Sequence, residues 1–320
     1  MKTCTIAVFI AAIMLVFSCS KSDKSAVVAK ESLPSFVQQL GDRYVIQQGN
    51  IKMEISPNDG GRISSLKMGY HELLVTSNHT NSTLWGSVLW PSPQSAWSWP
   101  PVETLDAKPY RLSVADDRLV LTSDVDQVTG YQFVKSYGIS SKKNNALSVI
   151  YSIYNRSDVA KTVAPWELTR VYTRGMVAFP GGEGELESGI FYPMNVPLID
   201  DIRWFLYDEE NMRDDHHKMM ADGREGWIAY IDKGHLLVKE FEDVPAEFIA
   251  EHEGEIELFA DLKKTYLEIQ QQGSMTRLEP GEHLEWEVIW HVRKLPADIP
   301  VAVGSQELVN FIRYLVSRPE

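Results

Sequence analysis

Glu268 and Gln270 stand two residues apart in the run Thr265-Tyr266-Leu267-Glu268-Ile269-Gln270-Gln271-Gln272-Gly273. On a strand, alternate side chains share a face. The carboxylate and the amide then point one way, and Leu267 and Ile269 the other. A carboxylate beside an amide, aimed into a cleft, can take a proton while its neighbour holds a hydroxyl. A strand with its polar face in water has the same pattern.

A second group fills residues 84–101, which hold Trp85, Trp90, Trp97 and Trp99 among four prolines. The prolines stiffen the segment and argue against a central strand there. A stiff loop loses little entropy when it presents rings to a ligand. Trp97 and Trp99 alternate with Ser98 and share a face, and Trp90 and Gln94 join them as candidate ligand contacts. Sugars offer C–H faces that pack on such rings; a large sheet also buries aromatic residues for its core. Arg62 forms a third candidate, following Asn58-Asp59-Gly60-Gly61 at the start of a strand. The glycines permit a tight turn. An arginine there is either a donor to sugar hydroxyls or a surface residue of a plain turn.

Strands must position these groups. Alternating runs lie at 43–47, 50–55, 63–68, 71–75, 110–115, 118–122, 131–140 and 146–155, and again at 161–172, 227–231, 235–241, 255–260, 265–272 and 283–292. Gly, Pro, Asn, Asp and Lys mark the turns between them. The expected fold is all-β, with two large antiparallel sheets packed face to face. One short helix is expected at the C-terminus, capped by Ser305, with Leu308, Phe311, Ile312, Leu315 and Val316 at helical spacing. The domain is read as 41–296 and the helical tail as 297–320.

The N-terminus reads as a secretion signal over 1–18. Lys2 precedes an apolar run too short to span a bilayer. The run ends in Val16-Phe17-Ser18-Cys19, which resembles a bacterial lipobox. That resemblance implies lipidation at Cys19, a polar tether over 19–40, and attachment to the cell envelope, periplasmic or at the outer-membrane surface. Membrane contact is expected through the lipid alone. The other cysteine, Cys4, lies inside the signal, so neither a disulfide framework nor a thiolate site is expected. The net charge of -13 and the lack of a basic run argue against nucleic acid. His216 and His217 are adjacent and diverge on a strand. The run Asp214-Asp215-His216-His217-Lys218 reads as a solvated loop, and no metal or cofactor is expected.

Four segments carry a wider resemblance: Gly60-Gly61-Arg62-Ile63-Ser64-Ser65-Leu66, Trp85-Gly86-Ser87, Leu267-Glu268-Ile269-Gln270, and Leu278-Glu279-Pro280-Gly281-Glu282. Together they resemble the galactose-mutarotase-like superfamily of aldose 1-epimerases over about residues 44–295. The resemblance implies a β-supersandwich and a carbohydrate ligand. It puts Glu268 in the place of the base that takes the anomeric proton, with Arg62 near the sugar oxygens. Aldose epimerases keep a His-Pro-Tyr-type strand whose histidine is the acid. The matching stretch here is Ala164-Pro165-Trp166-Glu167-Leu168-Thr169-Arg170, without a histidine. Glu167 then becomes the candidate acid, provided that burial raises its pKa, and Arg170 a substrate contact. Three readings stay open: a sugar-converting isomerase, a non-catalytic glycan-binding module, and a structural envelope lipoprotein.

Overall fold

The computed structural model describes residues 32–80, 83–210 and 212–317. The signal, Cys19 and most of the tether lie outside the described residues. The first half of the chain forms β1 (Val37–Leu40), β2 (Arg43–Gln48), β3 (Ile51–Ser56), β4 (Arg62–Met68), β5 (His71–Glu72), β6 (Ser87–Ser92), α1 (Glu103–Asp106), β7 (Arg111–Ala115), β8 (Arg118–Thr122), β9 (Tyr131–Ile139) and β10 (Ala146–Asn155). There follow β11 (Lys161–Val171), β12 (Met176–Pro180), β13 (Tyr192–Pro193), β14 (Leu198–Ile199), β15 (Ile202–Leu206), β16 (His217–Ala221), β17 (Trp227–Asp232) and β18 (His235–Glu240). Last come β19 (Ile256–Ala260), β20 (Leu267–Gln272), β21 (Thr276–Leu278), β22 (His283–Lys294) and α2 (Gln306–Ser317).

Two sheets result. A twelve-stranded sheet runs β1-β2-β3-β4-β6-β11-β20-β19-β16-β13, with β5 and β21 pairing off this path. A ten-stranded sheet runs β14-β15-β12-β17-β18-β22-β10-β9-β8-β7. The short β13–β16 pair is parallel, and the other strand pairings described are antiparallel. The core lies between the sheets. Leu89, Leu267, Ile269 and Leu258 of the larger sheet join Phe133, Val149 and Trp290 of the smaller one, all with no exposed surface. The period of two sends the neighbours of Leu267 and Ile269 to the opposite face.

The structure corrects three expectations. The prolines do not exclude a central strand: β6 lies between β4 and β11 with Pro91 inside it. Pro91 faces Pro165 across the ladder. The bond from Arg170 N to Gly86 O makes that rung hydrogen-bonded, and counting five rungs on puts the proline pair on a non-bonded one. Neither missing N–H is needed there. Second, β1 begins inside the range read as tether, because Val37 is buried in the main core. Third, β12, β15 and β16 fall where no strand was expected. All five residues of β12 are buried: Val177 and Phe179 enter the main core, Met176 and Ala178 the opposite side. A strand buried on both faces shows no alternation.

The second apolar layer belongs to α2. Ser305 Oγ accepts from Leu308 N at 3.2 Å. Leu308, Val309 and Ile312 are buried against Trp204, Trp227 and Leu236 on the outer face of the ten-stranded sheet. Helix stability comes mainly from such docking. Leu308→Ala should therefore cost about 2–5 kcal/mol in urea denaturation. A loss well under about 1 kcal/mol would mean that the helix does not rest on this side chain.

Candidate functional site

The outer face of the twelve-stranded sheet is where the polar residues of β11, β20, β19 and β16 emerge. Register lines them up. Arg170, Glu268, Phe259 and Lys218 form one row across the four strands, and Leu168, Gln270, Glu257 and Met220 the next. Above these rows lies a cavity of about 370 Å3, within the range of small-ligand pockets. Its rings are Trp90, Trp99, Trp166, Phe191, Phe259 and Tyr266; its polar groups are Gln94, His216, Lys218, Glu268 and Gln270.

Trp90 is the hub of the aromatic wall. Trp97, Trp99 and Trp166 meet it edge-to-face at 5.7, 6.0 and 5.6 Å between centroids, a favoured geometry for aromatic pairs. Its indole N–H donates to Asp106 Oδ1 at 2.7 Å. Asp106 comes from α1 and also pairs with Arg62 at 3.3 Å. Arg62 in turn donates to Thr83 O at 2.6 Å and Trp85 O at 3.1 Å, and lies over the Trp85 ring. Burial pushes the Arg62 pKa down to about 10, with Asp106 opposing.

The floor is charged but paired. Arg170 has no exposed surface and sits 5.5 Å from the Trp90 ring and 5.9 Å from the Tyr266 ring. Its Nε donates to Glu268 Oε1 at 2.8 Å, and Gln270 Nε2 donates to Glu268 Oε2 at 2.6 Å. Lys218 pairs with Glu257 at 2.8 Å. Burial raises the Glu257 carboxyl, and Lys218 offsets part of that rise. Four buried atoms of the walls and floor have no hydrogen-bond partner among the described residues: the acceptor Gln270 Oε1 and the donors Trp166 Nε1, Arg170 Nη1 and Arg170 Nη2. At the rim, His216 stacks on Phe259 at 5.3 Å and its Nδ1 accepts from Leu262 N at 3.1 Å. A neutral imidazole so bonded carries its proton on Nε2. No group of three or more His, Cys, Asp or Glu residues able to hold a metal occurs among the described residues.

A family model described as "Domain of unknown function (DUF4380)" matches residues 42–293. The chain belongs to this DUF4380 family. No curated protein matches it in sequence. Among solved structures, a galactose mutarotase-like protein from Lactobacillus casei is 13% identical with a TM-score of 0.53, covering 78% of this chain and 100% of its own. A galactose mutarotase related enzyme from Lactobacillus acidophilus is 13% identical with a TM-score of 0.52, covering 81% and 100%. A TPR-domain containing protein from Parabacteroides distasonis is 15% identical with a TM-score of 0.56, covering 82% of this chain and 49% of its own. The DUF4380 chain thus has the galactose mutarotase-like fold, a relationship of fold at low identity.

Of the residues singled out in the DUF4380 sequence, Glu268, Gln270, Trp90, Gln94 and Trp99 line the cavity, and Arg170 lies beneath its floor. Three do not reach it. Trp97 lies behind Trp90 and donates to Pro91 O at 2.7 Å. Arg62 is a strut for the segment before β6 and approaches the site only through Asp106. Glu167 faces inward, since β11 sends Trp166, Leu168 and Arg170 outward. It has no exposed surface and accepts from Lys239 Nζ at 2.9 Å, Tyr151 OH at 2.6 Å and Ser87 Oγ at 3.2 Å. Burial lowers Lys239 to about 8, with Glu167 opposing. A carboxylate so enclosed between the sheets cannot pass a proton to a ligand in the cavity.

Sequence reasoning missed Trp166, His216, Lys218, Tyr266, Phe191 and Phe259. Alternation from Arg170 would have pointed to Trp166. His216 and Lys218 gave no such signal, because the expected solvated loop is in fact the entry to β16, with His217 and Lys218 buried.

The buried pair behind Trp90 yields a stability test. Asp106→Ala strands the Arg62 charge and should cost about 3–5 kcal/mol. Adding Arg62→Met removes the stranded charge and should recover part of the loss. Chemical denaturation that finds no recovery in the double variant would exclude the ion pair as the cause.

Proposed function

We propose that this chain binds a neutral carbohydrate in the cavity on the outer face of its larger sheet. One observation carries the reading: an acceptor and a donor without partners, Gln270 Oε1 and Trp166 Nε1, belong to a cavity walled by aromatic rings. A sugar supplies hydroxyls for both atoms and C–H faces for the rings. Unpaired buried polar atoms are costly, so a ligand that satisfies them gains affinity. Glu268 is the hydroxyl acceptor of the floor, with Arg170 and Gln270 holding its inner side. The likeness to the two Lactobacillus proteins, one galactose mutarotase-like and one mutarotase-related, agrees with a sugar ligand.

Calorimetry or saturation-transfer NMR against a panel of free monosaccharides tests this. Glu268→Gln removes a charge-assisted bond worth about 1.5–3 kcal/mol, which corresponds to a loss of about 10- to 100-fold in affinity. Trp166→Ala should weaken the same ligand. A panel with no binder, or a binder indifferent to both changes, sinks the proposal.

The proton on His216 Nε2 favours a second reading, interconversion of anomers. Glu268 would take the anomeric hydroxyl proton while the ring oxygen, held by the His216 Nε2–H bond, takes a proton from water. The C1–O5 bond opens to the aldehyde, the ring recloses on the other face, and both protons return. Polarimetry of the wild type, His216→Ala and Glu268→Gln decides this. A wild type no faster than the spontaneous rate leaves binding alone.

The proposal extends to placement. With a lipid on Cys19, the domain would act at the bacterial cell envelope. Labelled palmitate should enter the wild type and not Cys19→Ala; equal absence from both would remove the anchor.

A further inference from the structure

The geometry points to an oligosaccharide, a chain longer than one sugar ring, as the ligand class of this site; the inference rests on the carbohydrate reading above. A groove of about 710 Å3 adjoins the cavity. Gln94, Phe191 and Lys218 line both spaces, so the two adjoin across these three side chains, over which a longer ligand would run. The enclosed part, at about 370 Å3, lies near the lower end of small-ligand pockets. The groove is nearly twice as large and more open, as a run of further sugar units requires.

Its surface has the same mixed character. Met220 leaves the outer face of β16, one residue pair along from Lys218, and Ile190 stands 95% exposed at the edge. An isoleucine so placed has its apolar surface in water, and a sugar's C–H face would cover it. Ser95 and Glu253 line the same groove and can bond hydroxyls. Glu251 and Glu253 oppose Lys218 in charge, so the groove offers no cluster of cations for an acidic polysaccharide.

The groove wall is tied to the sheet. Glu253 accepts from Gln94 N at 2.6 Å, from Ser92 Oγ at 2.5 Å and from Gln272 Nε2 at 3.0 Å. One carboxylate thus joins the segment after β6 to β20, the strand that carries Glu268. A wall held in place before binding lowers the ordering cost of taking a long ligand.

The test compares glucose, galactose, mannose and N-acetylglucosamine with their neutral linear tri- and tetrasaccharides, using the purified full chain and calorimetry. The best tetrasaccharide should bind at least about tenfold more tightly than its monosaccharide. Ser95→Trp fills the groove and Ile190→Asp makes its edge charged; both positions are exposed, and neither lines the cavity. Each should erase the length advantage while monosaccharide affinity stays within about twofold. Equal affinity for one ring and for four overturns the inference and leaves the cavity reading intact. A length advantage that survives both variants also overturns it, since the extra units then lie elsewhere. Failure of every saccharide of either length overturns the inference together with the carbohydrate reading.

Discussion

Arg170 carries a charge with no exposed surface, and a charge taken from water must be paired. Its partner, Glu268, stands directly opposite it in the β11–β20 ladder. The pair therefore fixes a register as well as a contact. A slip of one residue would turn Glu268 toward the core and Ile269 toward the ligand face. Three residues earlier, β11 repeats the constraint with reversed sign and direction. Glu167 faces inward and meets Lys239 of the other sheet. One strand thus carries a cation on its ligand face and an anion on its core face. Each is held by a different neighbour, and both fail together if the strand shifts. The cavity floor and the packing of the two sheets are set by the same eleven residues.

The wall over that floor depends on a chain of contacts that begins far from it. Gly60, at φ +71, brings the turn before β4 so close to α1 that an added Cβ would lie 2.0 Å from Asp106 O. That closeness leaves α1 where Asp106 reaches both Arg62 and the Trp90 indole. Arg62 was chosen from the sequence as a ligand contact. Its actual work is to position: it holds the carbonyls of Thr83 and Trp85 and steadies the acceptor that orients Trp90. The Trp90 ring and the residue that fixes it lie on β6 and β4, two strands that pair at one rung, Ile63 with Ser87.

Much of the fold was legible because one face of most strands is polar and the other apolar. The run 146–155 and the run 118–122 coincide with β10 and β8. The failures have one physical source. Where a strand is buried on both sides, as in β12, or wears bulky and proline residues, as in β6, the alternation disappears. The candidate site divides the same way. Glu268 and Gln270 could be placed by period alone. Glu167 stands an odd number of residues from Arg170, so the period that puts Arg170 on the outer face puts Glu167 in the core, against the role that the resemblance implies. His216 and Lys218 became part of the site only through pairing of β16 with β19, a contact between residues some forty positions apart. No local pattern encodes that contact.

The charges of the cavity decide what kind of ligand suits it. Arg170 is neutralised by Glu268 and Lys218 by Glu257, each pair at 2.8 Å. Each charge is balanced within the floor, although Nη1 and Nη2 of Arg170 donate to no described residue. Paired charges still act as strong hydrogen-bonding groups, because a carboxylate has more lone pairs than its two internal donors use. What remains for a ligand is a set of directional acceptors and donors between apolar rings. A neutral, hydroxyl-rich molecule with flat C–H faces matches that set. A charged one would meet no net opposite charge, yet would still lose its hydration on entry. The compensation that lets the sheet bury these four groups is thus also what makes a neutral ligand the natural one to propose.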